Sequence, residues 1–373
     1  MSKNGSTISL DDYKADETFV LLNKEYKDFL LEEALHKAGS QSKLATLIKN
    51  SLDYPKMRQS TVSFLVKKET LRLDLVQYLC EFTNSELSHN KIEGIKGAGT
   101  SVLVYNPKLN ICLSKELAQI LANLYCDGSI EKDNCYVSTY MNGCKELIER
   151  FKNNFRKCFG TIDLYERQTN VSNVRIPCFI GKRLYTKFEL DKDKVPKQIK
   201  EAPEDIKGAY LQAVFDDEGS IHKTHGQIRI KMKPKSYIED IQKLIWELGI
   251  QTSSVIEELD KRSGRKYYFF LVSGFYNLKK FSEKIGFFHP KKKERLIQHL
   301  NNVKILNYGY KAQELVLDVL RKYGPLTAEE IAKKLNRGKR IIQIHLNNLK
   351  KQSLVSYEKV KRRFVYEYLW KVM

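Results

Sequence analysis

Apolar positions recur at helical spacing through FVLLNKEYKDFLLEEALHKAG, Phe19 to Gly39, and the spacing predicts a helix that stops at the glycine. Shorter helices follow in SQSKLATLI, STVSFLVKK and LDLVQYLCEF, joined by turns. The stretch SHNKIEGIKGAGTS, Ser88 to Ser101, has no periodicity and reads as a linker, which puts a boundary near residue 100. Beyond it two passages look alike: LSKELAQILANLYCDGSI, Leu113 to Ile130, and IKGAYLQAVFDDEGSI, Ile206 to Ile221. Each is an apolar helix that ends in an acid and runs on into Gly-Ser-Ile. The two acids, Asp127 and Glu218, stand about 90 residues apart, and an internal duplication is the economical explanation. After the second helix, HGQIRIKMK alternates strictly. Ile228, Ile230 and Met232 take one face and Gln227, Arg229, Lys231 and Lys233 the other, which predicts a half-buried strand with a basic outer face. SYIEDIQKLIWELGI is a helix, SSVIEEL and KYYFFLVS a second hairpin, and FYNLKKFSEKIG and KKKERLIQHL closing helices. The order is αββαββ, matched more loosely by the first half. Past Lys311 come three helical segments and a hairpin, SLVSYEKVKRRFVYEYLW.

The charge is not spread evenly. The 373 residues carry 65 Lys and Arg against 45 Asp and Glu, a formal net charge of +20. Residues 1–100 hold 14 basic and 14 acidic side chains, 101–300 hold 35 and 25, and 301–373 hold 16 and 6. A neutral head with a basic middle and tail points to a polyanion held by the last two thirds, with nucleic acid as the leading partner. Apolar runs such as Val102 to Ile111 break well before the roughly 18 residues that a membrane span needs. The polar, acidic opening MSKNGSTISLDDYKADE excludes a secretory signal. The seven cysteines form no CxxC pair, so neither a disulfide framework nor a zinc knuckle is favoured, and a cytoplasmic location is expected. His222 and His225 lack a third ligand and make a poor zinc site.

A carboxylate delivered at the last turn of a helix lies beside carbonyls that carry the negative end of the helix dipole, so the place attracts a divalent cation. If the two duplicated helices pack side by side, Asp127 and Glu218 meet at the foot of the seam and favour a shared hard metal. The backbone carbonyls of Cys126 and Asp217 are the neighbouring oxygen donors. Ala122 and Ala213, at matching places, permit close packing. Two carboxylates with Mg²⁺ suit phosphodiester hydrolysis.

These helices resemble the paired motifs of the LAGLIDADG homing endonucleases in their two-repeat, single-chain form. The nine-letter motif falls on Ile120 through Gly128 and again on Leu211 through Gly219, and both copies keep the acid at the eighth position, Asp127 and Glu218. The first copy departs with Asn123 at the fourth position and Tyr125 at the sixth. The resemblance implies an α+β fold of two pseudo-symmetric αββαββα units whose hairpins form DNA-binding saddle sheets, acting as a monomer on a long asymmetric site. It implies Mg²⁺, with Mn²⁺ as a substitute, and a role near the scissile phosphate for Lys231; a plain DNA-contacting lysine remains an equal alternative. The position matching Lys231 in the first unit would be Tyr140. Long polar side chains of the saddles would read bases: Arg229, Lys231 and Lys233 in the second unit, and Arg167, Gln168 and Arg175 in the first. Lys292, within the run Lys291 to Lys293, is expected to contact phosphate or to be part of a solvated charge run.

Both ends resemble DNA-binding domains. Gln41 to Ile48 and Gln59 to Lys68 fall where phage-repressor helix-turn-helix proteins have their two motif helices, and a small helical bundle for protein contacts is the lesser alternative, kept open by the zero net charge. The tail resembles a winged helix, with Arg337 to Lys351 as recognition helix, Arg337, Lys339 and Arg340 near the groove, and Lys359 to Arg363, including Lys361 and Arg362, as the wing. The expected organisation is an all-α helix-turn-helix domain with linker (1–100), two duplicated units (101–205 and 206–305) and a winged helix (306–373). The leading function is a metal-dependent, site-specific DNA endonuclease with no small-molecule substrate. The alternatives are a DNA-binding regulator derived from one and an intron RNA maturase. A self-splicing insert is disfavoured because the chain neither starts with Cys or Ser nor ends in His-Asn.

Overall fold

In the computed structural model the first apolar run does not form one helix. Thr18–Leu22 is a strand, β2, with alternate residues buried, and helix α1 starts only at Lys24 and ends at Ala38. Asn23 makes the break, because its side chain accepts the Tyr26 amide and caps the helix. At the other end Gly39 takes the left-handed conformation expected of a helix-closing glycine. The structure describes all residues except 1–6, 53–58, 101, 133–135, 168–169, 191–192, 223–225, 262–263, 303–309, 336 and 363–364.

The N-terminal region is therefore not all-α. Helices α1, α2 (Gln41–Ser51), α3 (Gln59–Lys67) and α4 (Leu73–Thr83) pack with a four-stranded antiparallel sheet of order β3-β2-β4-β5, in which β3 is Leu71–Arg72, β4 is Ile92–Gly97 and β5 is Val104–Tyr105. Strand β4 occupies the expected linker. Its glycines mark close approach rather than slack: a Cβ on Gly97 would stand 2.9 Å from the Cβ of Phe179. The expected break near residue 100 is likewise absent. The leading strand β1 (Thr7–Ile8) pairs with β6 (Ile111–Cys112), and Tyr105 exchanges two backbone hydrogen bonds with Thr161. Residues 1–296 form one compact unit and 297–373 a second.

The duplication is plain in the topology. The first unit runs α5 (Lys115–Tyr125), β7 (Gly128–Glu131), β8 (Val137–Asn142), α6 (Lys145–Phe159), β9 (Tyr165–Arg167), β10 (Ser172–Ile176), α7 (Cys178–Phe188) and α8 (Lys197–Lys200). The second repeats it as α9 (Glu204–Asp217), β11 (Gly219–Ile221), β12 (Ile228–Met232), α10 (Lys235–Glu247), β13 (Ile256–Leu259), β14 (Lys266–Val272), α11 (Phe275–Lys284) and α12 (Pro290–Asn302). The sheets have the same antiparallel order, β7-β8-β10-β9 and β11-β12-β14-β13. The register corrects one expected equivalence. Gly128 pairs with Tyr140 and Gly219 with Ile230, so Tyr140 matches Ile230 and Met141 matches Lys231.

Helices α5 and α9 pack against each other along the seam between the units. Ala122 and Ala213 are fully buried there, and a larger side chain at either would overpack the contact at a cost of about 1–3 kcal/mol. Each helix turns into its strand over a glycine with no room for a side chain. A Cβ would lie 2.6 Å from the Leu124 Cα at Gly128 and 2.6 Å from the Phe215 carbonyl at Gly219.

The C-terminal unit contains α13 (Tyr310–Tyr323), β15 (Leu326–Thr327), α14 (Ala328–Leu335), α15 (Lys339–Lys351), β16 (Val355–Arg362) and β17 (Val365–Val372), with sheet order β15-β17-β16. Thr327 and Glu330 cap α14 reciprocally, each side chain accepting the other's amide at 2.8–3.2 Å. Its core gathers Ile331, Ile342, Leu346, Leu349 and Trp370.

Candidate active site at the helix seam

Asp127 follows the C-terminal end of α5, and Glu218 closes α9. The two carboxylates share one electrostatic field. Burial and the charge of Asp127 push the Glu218 carboxyl up to about 7, and burial raises Asp127, each partly offset by the Lys292 ammonium. A third carboxylate joins them. Asp217 is half-buried, and its carboxyl is driven well above its ordinary value by desolvation and by Asp127. It accepts hydrogen bonds from Asn123 (2.8 Å), Tyr140 (2.9 Å) and Asn142 (3.3 Å). The polar Asn123, a departure from the motif, thus reaches across the seam to hold an acid of the other helix.

Asn142 ties the group together. Its side-chain oxygen accepts the Cys144 amide at 2.9 Å, which turns its NH₂ toward the acids, where it donates to Asp127 at 2.8 Å and to Asp217. Strand pairing explains why it is there: the Met141 amide donates to the Asp127 carbonyl, so the next residue of β8 lies beside the acid. Counting this register along the first hairpin from Gly128 would have found it.

The lysine at the acids is Lys292. Its ammonium donates to the carbonyls of Asp216 (2.6 Å) and Phe215 (3.2 Å), and burial lowers its pKa against the pull of Asp216, Asp217, Asp127 and Glu218. Lys231 lies on the outer face of the second sheet, where its ammonium is 3.1 Å from Glu258 and 4.7 Å from the centre of the Tyr267 ring. Arg229 pairs with the same Glu258 and lies over Phe269. Lys233 is exposed just beyond β12, and Arg167 and Arg175 are exposed on the first sheet. Gln168 and His225 lie outside the described residues. Lys339 approaches Glu329 at 3.4 Å, Arg340 is exposed, Arg337 is half-buried, and Lys361 and Arg362 belong to β16.

The sixth position of each motif is spent on packing. Asp216 is buried against Arg150 of the first unit, whereas Tyr125 stacks on Tyr237 with ring centres 3.8 Å apart. Cys126 is half-buried, with its thiol pushed well up by desolvation and by the three carboxylates. Among the described residues no group of three or more His, Cys, Asp and Glu side chains is arranged to hold a metal ion. The donors at the seam are carboxylate and peptide oxygens crowded with like charge, a set that suits a hard divalent cation. Among the described residues no helix is long and apolar enough to cross a membrane.

A family model for a LAGLIDADG-like domain matches residues 205–286. The chain is 25% identical over 315 residues to the replication factor C small subunit of Methanocaldococcus jannaschii, covering 76% of this chain and 16% of that protein. It is 23% identical over 330 residues to the same organism's glutamine–fructose-6-phosphate aminotransferase, covering 81% and 28%. A DNA polymerase of Thermococcus litoralis is 27% identical over 137 residues, covering 33% and 8%. The chain thus spans less than a third of the length of these curated relatives. Among solved structures, full-length WhiA from Thermatoga maritima aligns at 12% identity over 64% of this chain and 92% of its own, with a TM-score of 0.36. The homing endonuclease I-WcaI bound to its DNA recognition sequence aligns at 16% identity over 49% and 87%, with a TM-score of 0.33. Residues 205–286, the second of two units with the same strand order, are a LAGLIDADG-like domain.

Proposed function

We propose that this chain is a site-specific endonuclease for double-stranded DNA, hydrolysing phosphodiester bonds with Mg²⁺, or with Mn²⁺ in its place. The observation that carries the reading is the coupling of Asp127 and Glu218 at the ends of two packed helices, between two sheets whose outer faces carry arginine and lysine. These carboxylates and adjacent carbonyls would hold the metal, and the chemistry supplied there would be activation of water and stabilisation of the leaving oxygen. Asn142 orients Asp127, and Lys292 sets a positive charge beside the carboxylates, where it offsets their repulsion and attracts a phosphate. Arg229, Lys231, Lys233, Arg167 and Arg175 would grip and read the duplex. Both acids come from one chain, so one copy would suffice and the target would be asymmetric. These curated relatives carry different names and align with this chain over only 8–28% of their own length, which is what a mobile element inserted into different hosts would leave behind.

A DNA-binding regulator on the same fold is the second reading, favoured by the separate basic C-terminal unit with its three helices and hairpin. Incubating the protein with a random duplex library, with Mg²⁺ or with EDTA, and sequencing the ends separates the two. Recurrent ends in Mg²⁺ alone support the nuclease; selective binding without new ends supports the regulator.

A further inference from the structure

A cleft of about 1020 Å³ opens between the N-terminal region and the outer face of the first sheet. Its floor includes Arg167 and Arg175, which the proposed function already gives to DNA; its walls include Lys14, Lys182 and Arg183. Five basic side chains line it against two carboxylates, Glu17 and Asp163. We propose that the N-terminal region and helix α7, fixed to each other, form a wall of the DNA site, with Lys14 of the former and Lys182 and Arg183 of the latter holding the phosphates of one strand of the duplex that lies on the first sheet.

Three observations support this. First, the wall is mounted rigidly. Besides the β1–β6 pairing, Lys187 bonds Asp12 at 3.1 Å, Lys182 bonds Glu17 at 2.8 Å, and the Tyr13 ring packs on Phe179 with centres 6.0 Å apart. A preformed wall costs less ordering entropy on binding than a loose arm does. Second, the cations stand ready. Lys14 is more than half exposed, and the Arg183 guanidinium lies 5.5 Å from the centre of the Tyr13 ring, which holds it at the cleft. Third, Glu17 bonds both Lys14 and Lys182, so one carboxylate neutralises part of a site that a phosphate would otherwise occupy. The positive balance and its continuity with the sheet's outer face fit a phosphate backbone rather than a neutral or cationic ligand.

The inference rests on the DNA reading, and the test separates the two. Binding of the full-length chain to a long fluorescein-labelled duplex of mixed sequence is measured by anisotropy across a salt series, with thermal melts as a check on folding. The Lys14→Ala/Arg183→Ala variant should bind about tenfold more weakly at physiological salt, with a log–log salt slope shallower by about 1.8, about 0.9 for each phosphate lost. Glu17→Gln should act in the opposite sense, binding more tightly with a steeper slope, a gain that loss of structure would not produce. If the double variant folds and binds like the parent while Arg229→Ala/Lys233→Ala binds weakly, the wall is refuted and the DNA reading stands. If neither pair weakens binding, both fail. Tighter binding by the double variant would make the region a lid over the sheet and would also refute the wall.

Discussion

Arg150 of the first unit and Asp216 of the second are joined across the seam, guanidinium to carboxylate at 2.9 Å, with both side chains buried. Asp216 also accepts the amides of Phe288 and His289, at the start of the helix that carries Lys292, and the Arg150 guanidinium lies over the Phe288 ring. One ion pair therefore links the first unit to the segment that delivers the lysine to the acids.

Breaking this pair should cost more than removing it. Arg150→Met leaves a buried carboxylate without its cation and should destabilise the protein by about 3–5 kcal/mol. The double variant Arg150→Met/Asp216→Asn should recover a good part of that loss. Urea unfolding of the two single variants and the double variant checks the cycle; strictly additive losses would show that the pair is not coupled.

Lys292 and Lys231 should fail differently. Lys292→Met removes the ammonium beside the acids and should slow cutting by at least about 10²-fold, a loss of the size seen when one preorganised group that stabilises developing charge is removed, with little change in affinity. Lys231→Ala should weaken binding and flatten its salt slope by about 0.9, while cutting at saturating protein persists. Single-turnover cleavage beside equilibrium binding distinguishes them.

Stability without metal should fall as pH rises. Glu218 has a folded pKa of about 7 against an ordinary 4.5, so between these values the folded state binds more protons than the unfolded one. Stabilisation from this group is therefore complete below about pH 4.5 and lost as pH passes 7. Asp127 and Asp217 are shifted in the same direction. Glu218→Gln should raise the metal-free melting point at pH 8 and reduce its drop between pH 6 and pH 8, a difference on the order of 2 kcal/mol. Melting curves with EDTA across that range measure it.

The C-terminal unit should add affinity without chemistry. It has its own core, so deleting Lys311 to Met373 leaves the acids and both sheets intact. Binding should weaken and its salt slope flatten, while cutting continues at high protein concentration. Equal salt slopes for the full and shortened proteins would reject DNA contact by this unit.

The doubled motif and the αββαββ order were legible because periodicity and turn glycines report local structure directly: Ile228, Ile230 and Met232 alternate in the sequence and are all buried in β12. The N-terminal sheet was less legible. Thr18–Leu22 is a short apolar run that helix and strand share at this length, and in β4 the glycines that make room for neighbours hide the alternation. At the seam, adjacency in the motif named Asp127 and Glu218. Lys292 reaches Asp216 from more than seventy residues away, and no local pattern reports a contact that depends on how α12 packs against α9.

The most direct measurement is cleavage of a library-selected target by the parent protein, Asp127→Asn and Glu218→Gln in Mg²⁺, with binding to the same target measured in Ca²⁺. The account predicts a single double-strand cut by the parent, no cut by either variant and affinity close to the parent's, because each change removes charge from the metal site and little from the basic surface. Cutting by either variant at the parent's rate would contradict it.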